Sequence, residues 1–190
     1  MRKSILLCLS VSLLAGCGEK GDFEKAINEK ISKDPVCYRF NTQESNEDAY
    51  NRFSNVGVIV RVNVRGNDVS PILDGLKNTG LLNIEYEQEM FSKVAILSAT
   101  EKGVKAKFWD KNNGACVGNK VVDEVKEWTE PSDNGGQKMT RVTYTWKLTD
   151  VPGWVDKKSF PAVFGMNKSE DDDIILIKTN KGWKAQSFGY

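Results

Sequence analysis

Histidine is missing altogether from this 190-residue chain. Without an imidazole no Ser-His-Asp or Cys-His nucleophilic set can be assembled. A structural zinc site, which usually takes four nitrogen or sulfur ligands, is poorly served as well. The S-x-x-K pattern of a serine nucleophile beside a lysine is absent. No apolar run approaches the roughly 20 residues a membrane-spanning helix needs. The run from Ile5 to Leu14 falls well short of it. Neither charge sign is in excess, with 27 Lys and Arg against 26 Asp and Glu, so there is no basic imbalance of the kind that attracts nucleic acid. Internal repeats and long low-complexity linkers are lacking too, and the length suits one domain or two small ones with a real core. Cysteine is scarce, at four residues.

What is present begins at the N-terminus. Arg2 and Lys3 precede the apolar run from Ile5 to Leu14, and Leu14-Ala15-Gly16-Cys17 follows. A basic start, a short apolar stretch and a small-residue cleavage site make a secretory signal. Ending in a cysteine, the whole resembles the lipobox of bacterial lipoproteins. The resemblance implies that residues 1–16 are removed as a signal peptide. Cys17 then carries palmitate-type lipid on its sulfur, and the membrane becomes a partner through that anchor. Several acyl chains hold stably where one does not. In that family an Asp after the cysteine retains the protein in the inner membrane; Gly18 instead favours the outer membrane, facing the periplasm, with the inner membrane as the alternative. Residues 17–21 read as a lipidated tether before a helix start at Asp22. Four extended residues reach at most about 13–14 Å, which sets the body close to the bilayer. Taking 16 residues from 190 leaves 174, and removing Arg2 and Lys3 but no acid leaves 25 basic against 26 acidic residues, a net charge of −1.

With Cys8 in the signal and Cys17 on lipid, Cys37 and Cys116 remain. In an oxidising envelope an even pair reads as a disulfide, and a loop of that size would stabilise the fold by roughly 4–4.5 kcal/mol. Two buried free thiols are the alternative.

Along the body, Phe23, Ala26, Ile27 and Ile31 mark a helix from Asp22 to Lys33 that Pro35 stops. Val36 to Phe40 suits a short strand, and residues 41–55 a loop with a helical turn at 49–53. Val56, Val58, Val60, Val62 and Val64 alternate as a strand, which Gly66-Asn67-Asp68 ends. Ser70 and Pro71 open a helix carrying Ile72, Leu73 and Leu76, closed by Gly80. Strands at Ile84–Gln88 and Val94–Leu97, then a short helix from Glu101 to Trp109 weakened by Gly103, complete the first half. The second half is β-rich. Val142, Tyr144, Trp146 and Leu148 alternate, a turn-rich stretch from Pro131 to Gln137 suggests a hairpin with Lys120–Thr129, and Ile174–Lys178 and Trp183–Phe188 read as a closing hairpin. The sum is α+β: an antiparallel sheet with a few helices. It forms a single domain over 22–190, or two subdomains at 22–112 and 113–190.

Motifs with chemistry are few. Gly16-Cys17-Gly18-Glu19-Lys20-Gly21 matches G-x-G-x-x-G but lacks the βαβ context. Gly75 to Gly80 has Walker-like spacing with Leu81 where the lysine belongs. From Ser70 to Ala106, a Leu-rich helix ending at Leu76–Leu82, two strands and Ser98-Ala99-Thr100-Glu101-Lys102-Gly103 resemble the second half of a winged-helix domain. Fold does not imply DNA binding, and the secretory address argues against a nucleic-acid partner. Glu170-Asp171-Asp172-Asp173 lacks the calcium-loop spacing and glycine and reads as a solvated loop. Trp128, Tyr144, Trp146, Trp154, Phe160 and Phe164 cluster in the second half. They suit core packing, or an exposed patch in which Trp128, Trp146 and Trp154 bind a protein or glycan partner. Val151-Pro152-Gly153-Trp154-Val155 and Ser159-Phe160-Pro161 resemble small secreted or lipidated proteobacterial proteins of unassigned activity. The functional expectation is a non-enzymatic binding or accessory module of the envelope, with no catalytic set, metal site or cofactor. The alternatives are a glycan-directed hydrolase acting through two carboxylates and a structural or stress lipoprotein.

Overall fold

A computed structural model describes residues 15–40, 45–64, 71–90 and 92–186. The signal segment through Leu14, the Gly66-Asn67-Asp68 turn, Ser70 and Phe188 lie outside them. In chain order the elements are α1 (Ala15–Ile31), β1 (Pro35–Tyr38), α2 (Asn46–Phe53), β2 (Ile59–Val64), α3 (Pro71–Asn78), β3 (Leu82–Gln88), β4 (Lys93–Ala99) and α4 (Glu101–Ala106). Then come β5 (Ala115–Trp128), β6 (Ser132–Asn134), β7 (Gln137–Thr149), β8 (Glu170–Thr179) and β9 (Gly182–Ala185). The class is α+β. A six-stranded sheet runs β1-β5-β7-β8-β9 with β6 beside β7, and a three-stranded sheet runs β2-β4-β3. The strand pairs within both sheets are antiparallel.

The first helix follows its hydrophobic period. Phe23, Ala26, Ile27 and Ile31 are buried and face the large sheet, joining Val122, Val125, Val142, Tyr144, Leu176 and Trp183 in one core. Phe23 meets the rings of Trp128 and Trp183 edge-on, at 5.3 and 5.2 Å between centroids. A register shift in β5 after Val122 coincides with an outside partner for that strand: the Val122 N–H donates to Asn28 Oδ1 at 2.8 Å. Asp22 does not cap this helix, which already runs from Ala15. Gly18 and Gly21 each weaken a helix by about 1 kcal/mol, which does not break it here. Gly18 to Gly21 are therefore coiled rather than extended and span only about 6 Å.

The second core lies around the small sheet. Val60, Val62 and Val64 of β2, Ile72, Leu73 and Leu76 of α3, and Leu97 of β4 are buried together with Phe108, Trp109, Phe160 and Val163. The valine alternation overruns its strand. Gly57 turns at φ 75°, so Val56 makes only a single bridge to Ala99, and β2 starts at Ile59. The loop expected before it instead carries α2, capped by Ser45, whose Oγ accepts from the Asp48 N–H at 3.1 Å. Two close approaches tie distant segments together. A Cβ at Gly75 would collide with the Phe160 ring, and one at Gly103 with the Leu81 carbonyl oxygen. Gly103, a weakness for α4 taken alone, is thus the residue that lets α4 seat against the α3–β3 junction.

The halves of the chain interleave. α1 and β1 build the large sheet's layer, while residues 155–166 complete the core around the small sheet. α3 precedes the β3–β4 hairpin and the Thr100-capped α4 follows it, the element order expected over 70–106, but this order alone does not confirm the winged-helix resemblance. The acidic run is not a loop. Glu170 to Asp173 start β8, paired with Trp146, Thr145, Tyr144 and Thr143. Arg141 grips Asp173 with two bonds of 2.9 Å, and the Tyr144 hydroxyl donates to Asp172 at 3.2 Å. Among the described residues β9 pairs only Leu176 to Thr179, and no described strand covers the other side of Glu170 to Asp173.

Candidate functional site

A disulfide joins Cys37 to Cys116 across β1 and β5, where the two residues face each other in register. Beyond Cys116 opens a groove of about 640 Å³, lined by Leu81, Lys102, Lys105, Ala106, Lys107, Phe108, Asp110, Cys116, Pro152, Gly153 and Trp154. That volume lies in the range of ligand pockets, roughly 300–1,000 Å³.

The groove's walls come from α4 and from the segment after β7. Thr100 caps α4, its Oγ accepting from the Gly103 N–H at 3.0 Å and donating to the Gly80 carbonyl at 2.7 Å. Lys102 donates from Nζ to the Thr79 carbonyl at 2.6 Å, which suits a cation at the C-terminal end of α3. The helix stops at Lys107, which adopts the left-handed conformation at φ 49° and ψ 44°. This reversal sends Phe108 and Trp109 into the core, 3% and 4% exposed, and leaves the Lys107 side chain outside. α4 therefore ends at Ala106, short of the Trp109 that the sequence suggested. Trp154 is half-buried, with its ring edge-on to Phe108 at 6.3 Å and to Phe160 at 5.7 Å. The single carboxylate of the lining, Asp110, is engaged locally, accepting from the backbone N–H groups of Asn112 and Asn113 at 2.9 and 2.8 Å.

Three smaller cavities have other characters. One of about 220 Å³ lies on the other side of Lys107 and Phe108, among Tyr50, Phe53, Ser54, Val104 and Trp109. One of about 480 Å³ is lined by Asp34, Pro35, Cys37, Arg39 and Asn113. One of about 400 Å³ is lined by Glu127, Trp128, Thr129, Arg141 and Thr143. None of the four cavities is lined by more than one carboxylate. Comparison with protein-family models, with curated proteins and with solved structures finds no match.

The three tryptophans singled out as a binding set do not come together. Trp154 lines the groove. Trp128 packs on Phe23 in the other core and edges a different cavity. Trp146 is only 7% exposed, pressed against Gly165, where a Cβ would strike its ring, with Lys120 Nζ 4.3 Å from its centroid. The lysines of the groove were not singled out by sequence. Their spacing after Thr100 reads as an ordinary solvated helix face. Only the return of Pro152-Gly153-Trp154 against α4 turns that face into a wall. Cys17 falls within α1. No metal-binding cluster of three or more Cys, Asp or Glu exists among the described residues.

Proposed function

We propose that this chain is a lipid-anchored protein of the bacterial cell envelope. It is held at the outer membrane through Cys17, faces the periplasm, and works as a non-catalytic binding or accessory module. The anchor rests on Leu14-Ala15-Gly16-Cys17 after its basic and apolar lead. The Cys37–Cys116 disulfide suits an oxidising compartment. Among the described residues no helix is long and apolar enough to cross a membrane.

The binding role is carried by one observation: the groove at α4, larger than the three other cavities described above, is walled by cations and aromatic rings rather than by paired carboxylates. A hydrolase of glycans would require two carboxyl groups about 5–10 Å apart around a cleft, and the groove holds only Asp110, which is turned to its own loop. The test is incorporation of labelled palmitate into the chain expressed in a bacterial host, followed by membrane fractionation. The native chain should label and sediment with outer-membrane vesicles, while Cys17→Ala should neither label nor sediment. Labelling of the Cys17→Ala chain, or a native chain that remains unlabelled, would sink the anchor.

A further inference from the structure

The position of the groove relative to α1 adds a direction. Lys20 pairs with Glu124, Phe23 packs on Trp128 and Asn28 bonds to Val122, so the part of α1 nearest Cys17 lies over residues 122–128 of β5. The groove lies at the other end of that strand, beside Cys116. The stretch from Cys116 to Glu124 spans at most about 27 Å when extended, and the register shift after Val122 shortens it. A chain attached through Cys17 therefore presents the groove on the side away from the bilayer that holds it.

We propose that the groove is a docking site for a carboxylate-bearing glycan strand, which the anchored protein grips on its membrane-distal side. Charge complementarity identifies the occupant's sign. Lys102, Lys105 and Lys107 line one wall, and the lining's single carboxylate, Asp110, accepts from two backbone N–H groups of its own loop. The side-chain ammoniums of Lys105 and Lys107 have no hydrogen-bond or ion-pair partner among the described residues, and Lys107 bonds only through its backbone N–H to the Val104 carbonyl. Lysine ammoniums are point charges without the fork that fixes a carboxylate in one plane, so they suit anions that recur along a polymer in varied orientations. The half-buried ring of Trp154, beside Pro152 and a Gly153 with open space around it, offers an apolar surface against which the C–H face of a sugar ring can lie.

The backbone adds a separate observation. Lys107 holds the left-handed conformation, a position at a helix end ordinarily filled by glycine or asparagine. Strain of this kind gathers at ligand sites. At this position the lysine serves both walls, since Lys107 also lines the smaller cavity beside the groove.

The direction rests on the lipid-anchor reading, whereas binding in solution does not, and the experiment separates them. The detergent-solubilised full chain is titrated calorimetrically with hexagalacturonate, with uncharged maltohexaose and with hexaglutamate. Hexagalacturonate should bind, and raising salt from 50 to 300 mM should weaken it severalfold as the ammoniums are screened. Lys105→Gln and Lys107→Asn should each weaken binding about fivefold and together at least tenfold, in line with about 1 kcal/mol per exposed charge pair. Both positions are exposed, and asparagine tolerates the left-handed backbone, so folding should survive, as circular dichroism would show. Equal binding of maltohexaose overturns the charge argument. Equal or tighter binding of hexaglutamate overturns the glycan assignment in favour of an acidic peptide. Absence of binding by hexagalacturonate, or binding indifferent to both substitutions, overturns the proposal. Binding by a chain that fails to take up palmitate would leave the glycan site standing and remove the anchor.

Discussion

Removing the Cys37–Cys116 bridge should destabilise the protein by about 4.5 kcal/mol. The bridge closes a loop with a sequence separation of 79 residues. In the chain-entropy treatment the constraint on the unfolded ensemble is about 2.1 + 1.5R ln n cal/mol/K, which for n near 80 is about 15 cal/mol/K, or about 4.5 kcal/mol at 25 °C. The folded state should change little, because Cys37 and Cys116 already face each other in the β1–β5 ladder. β1 also stays held by Pro35 opposite Asn119 and Tyr38 opposite Ala115. A Cys37→Ala/Cys116→Ala double variant keeps these pairs and leaves no stray thiol. Chemical denaturation in urea, followed by tryptophan fluorescence, should show the midpoint falling, and the melting temperature should drop by about 10–18 °C for a body of this size. The slope with urea should rise slightly, since an uncrosslinked unfolded chain exposes more surface. A loss below about 1 kcal/mol would refute the reasoning, because the unfolded chain would then have been just as compact without the bridge. A loss of near-ultraviolet circular dichroism in the variant before any denaturant would refute it differently, by showing that the bridge holds the folded sheet itself.

Phe23→Ala should cost about 3–5 kcal/mol, since the ring is fully buried between Trp128 and Trp183. Urea unfolding and protease sensitivity within α1 should both report it, and a loss under 1 kcal/mol would mean that the helix does not dock as described. Gly103→Ala should destabilise by about 1–3 kcal/mol despite alanine's better helix propensity, because the new Cβ meets the Leu81 carbonyl oxygen; a gain in melting temperature would contradict that contact. Acid should weaken the fold. Hydrogen bonds from Arg141 to Asp173, from Lys147 to Asp123 and from Lys126 to Glu124 hold these carboxyls below their usual range, and the Ser159 side chain does the same for Asp156. Depressed folded-state values mean that this stability is present above the ordinary carboxylate range near pH 4 and is lost as pH falls through the lower folded values. The urea midpoint should therefore hold from pH 7 to 5 and drop below about pH 4; a midpoint unchanged at pH 3 would count against those pairings.

Periodicity carried much of the fold. The helical repeat of Phe23, Ile27 and Ile31 and the two-residue repeat of Val142, Tyr144 and Trp146 reflect which face must leave water; the faces are as expected, though α1 starts at Ala15 rather than Asp22. Long-range competition explains the misreadings. The Glu170–Asp173 run looked like a solvated loop because four acids repel. Arg141, some thirty residues upstream, becomes a strand neighbour only once β7 and β8 pair. Gly103 looked like a helix fault because its reason, the Leu81 carbonyl, lies across a tertiary contact. α2 was legible after all. The Ser45-x-x-Asp48 cap stands before an apolar-bearing segment, a helix signal set within the polar stretch 41–55, whose composition favours a loop.

By itself the sequence determined the α+β class, the resemblance at Cys17, the pairing candidates Cys37 and Cys116, and the exclusion of histidine-based chemistry. These depend on residue type and local spacing, which a chain displays without folding. Tertiary structure alone decided where the groove lies, which tryptophan faces it, and that Lys102, Lys105 and Lys107 share a wall with Pro152-Gly153-Trp154. That juxtaposition joins segments about fifty residues apart in the chain. It arises only because burying Phe160 against Gly75 in the core around the small sheet draws the segment after β7 down onto α4.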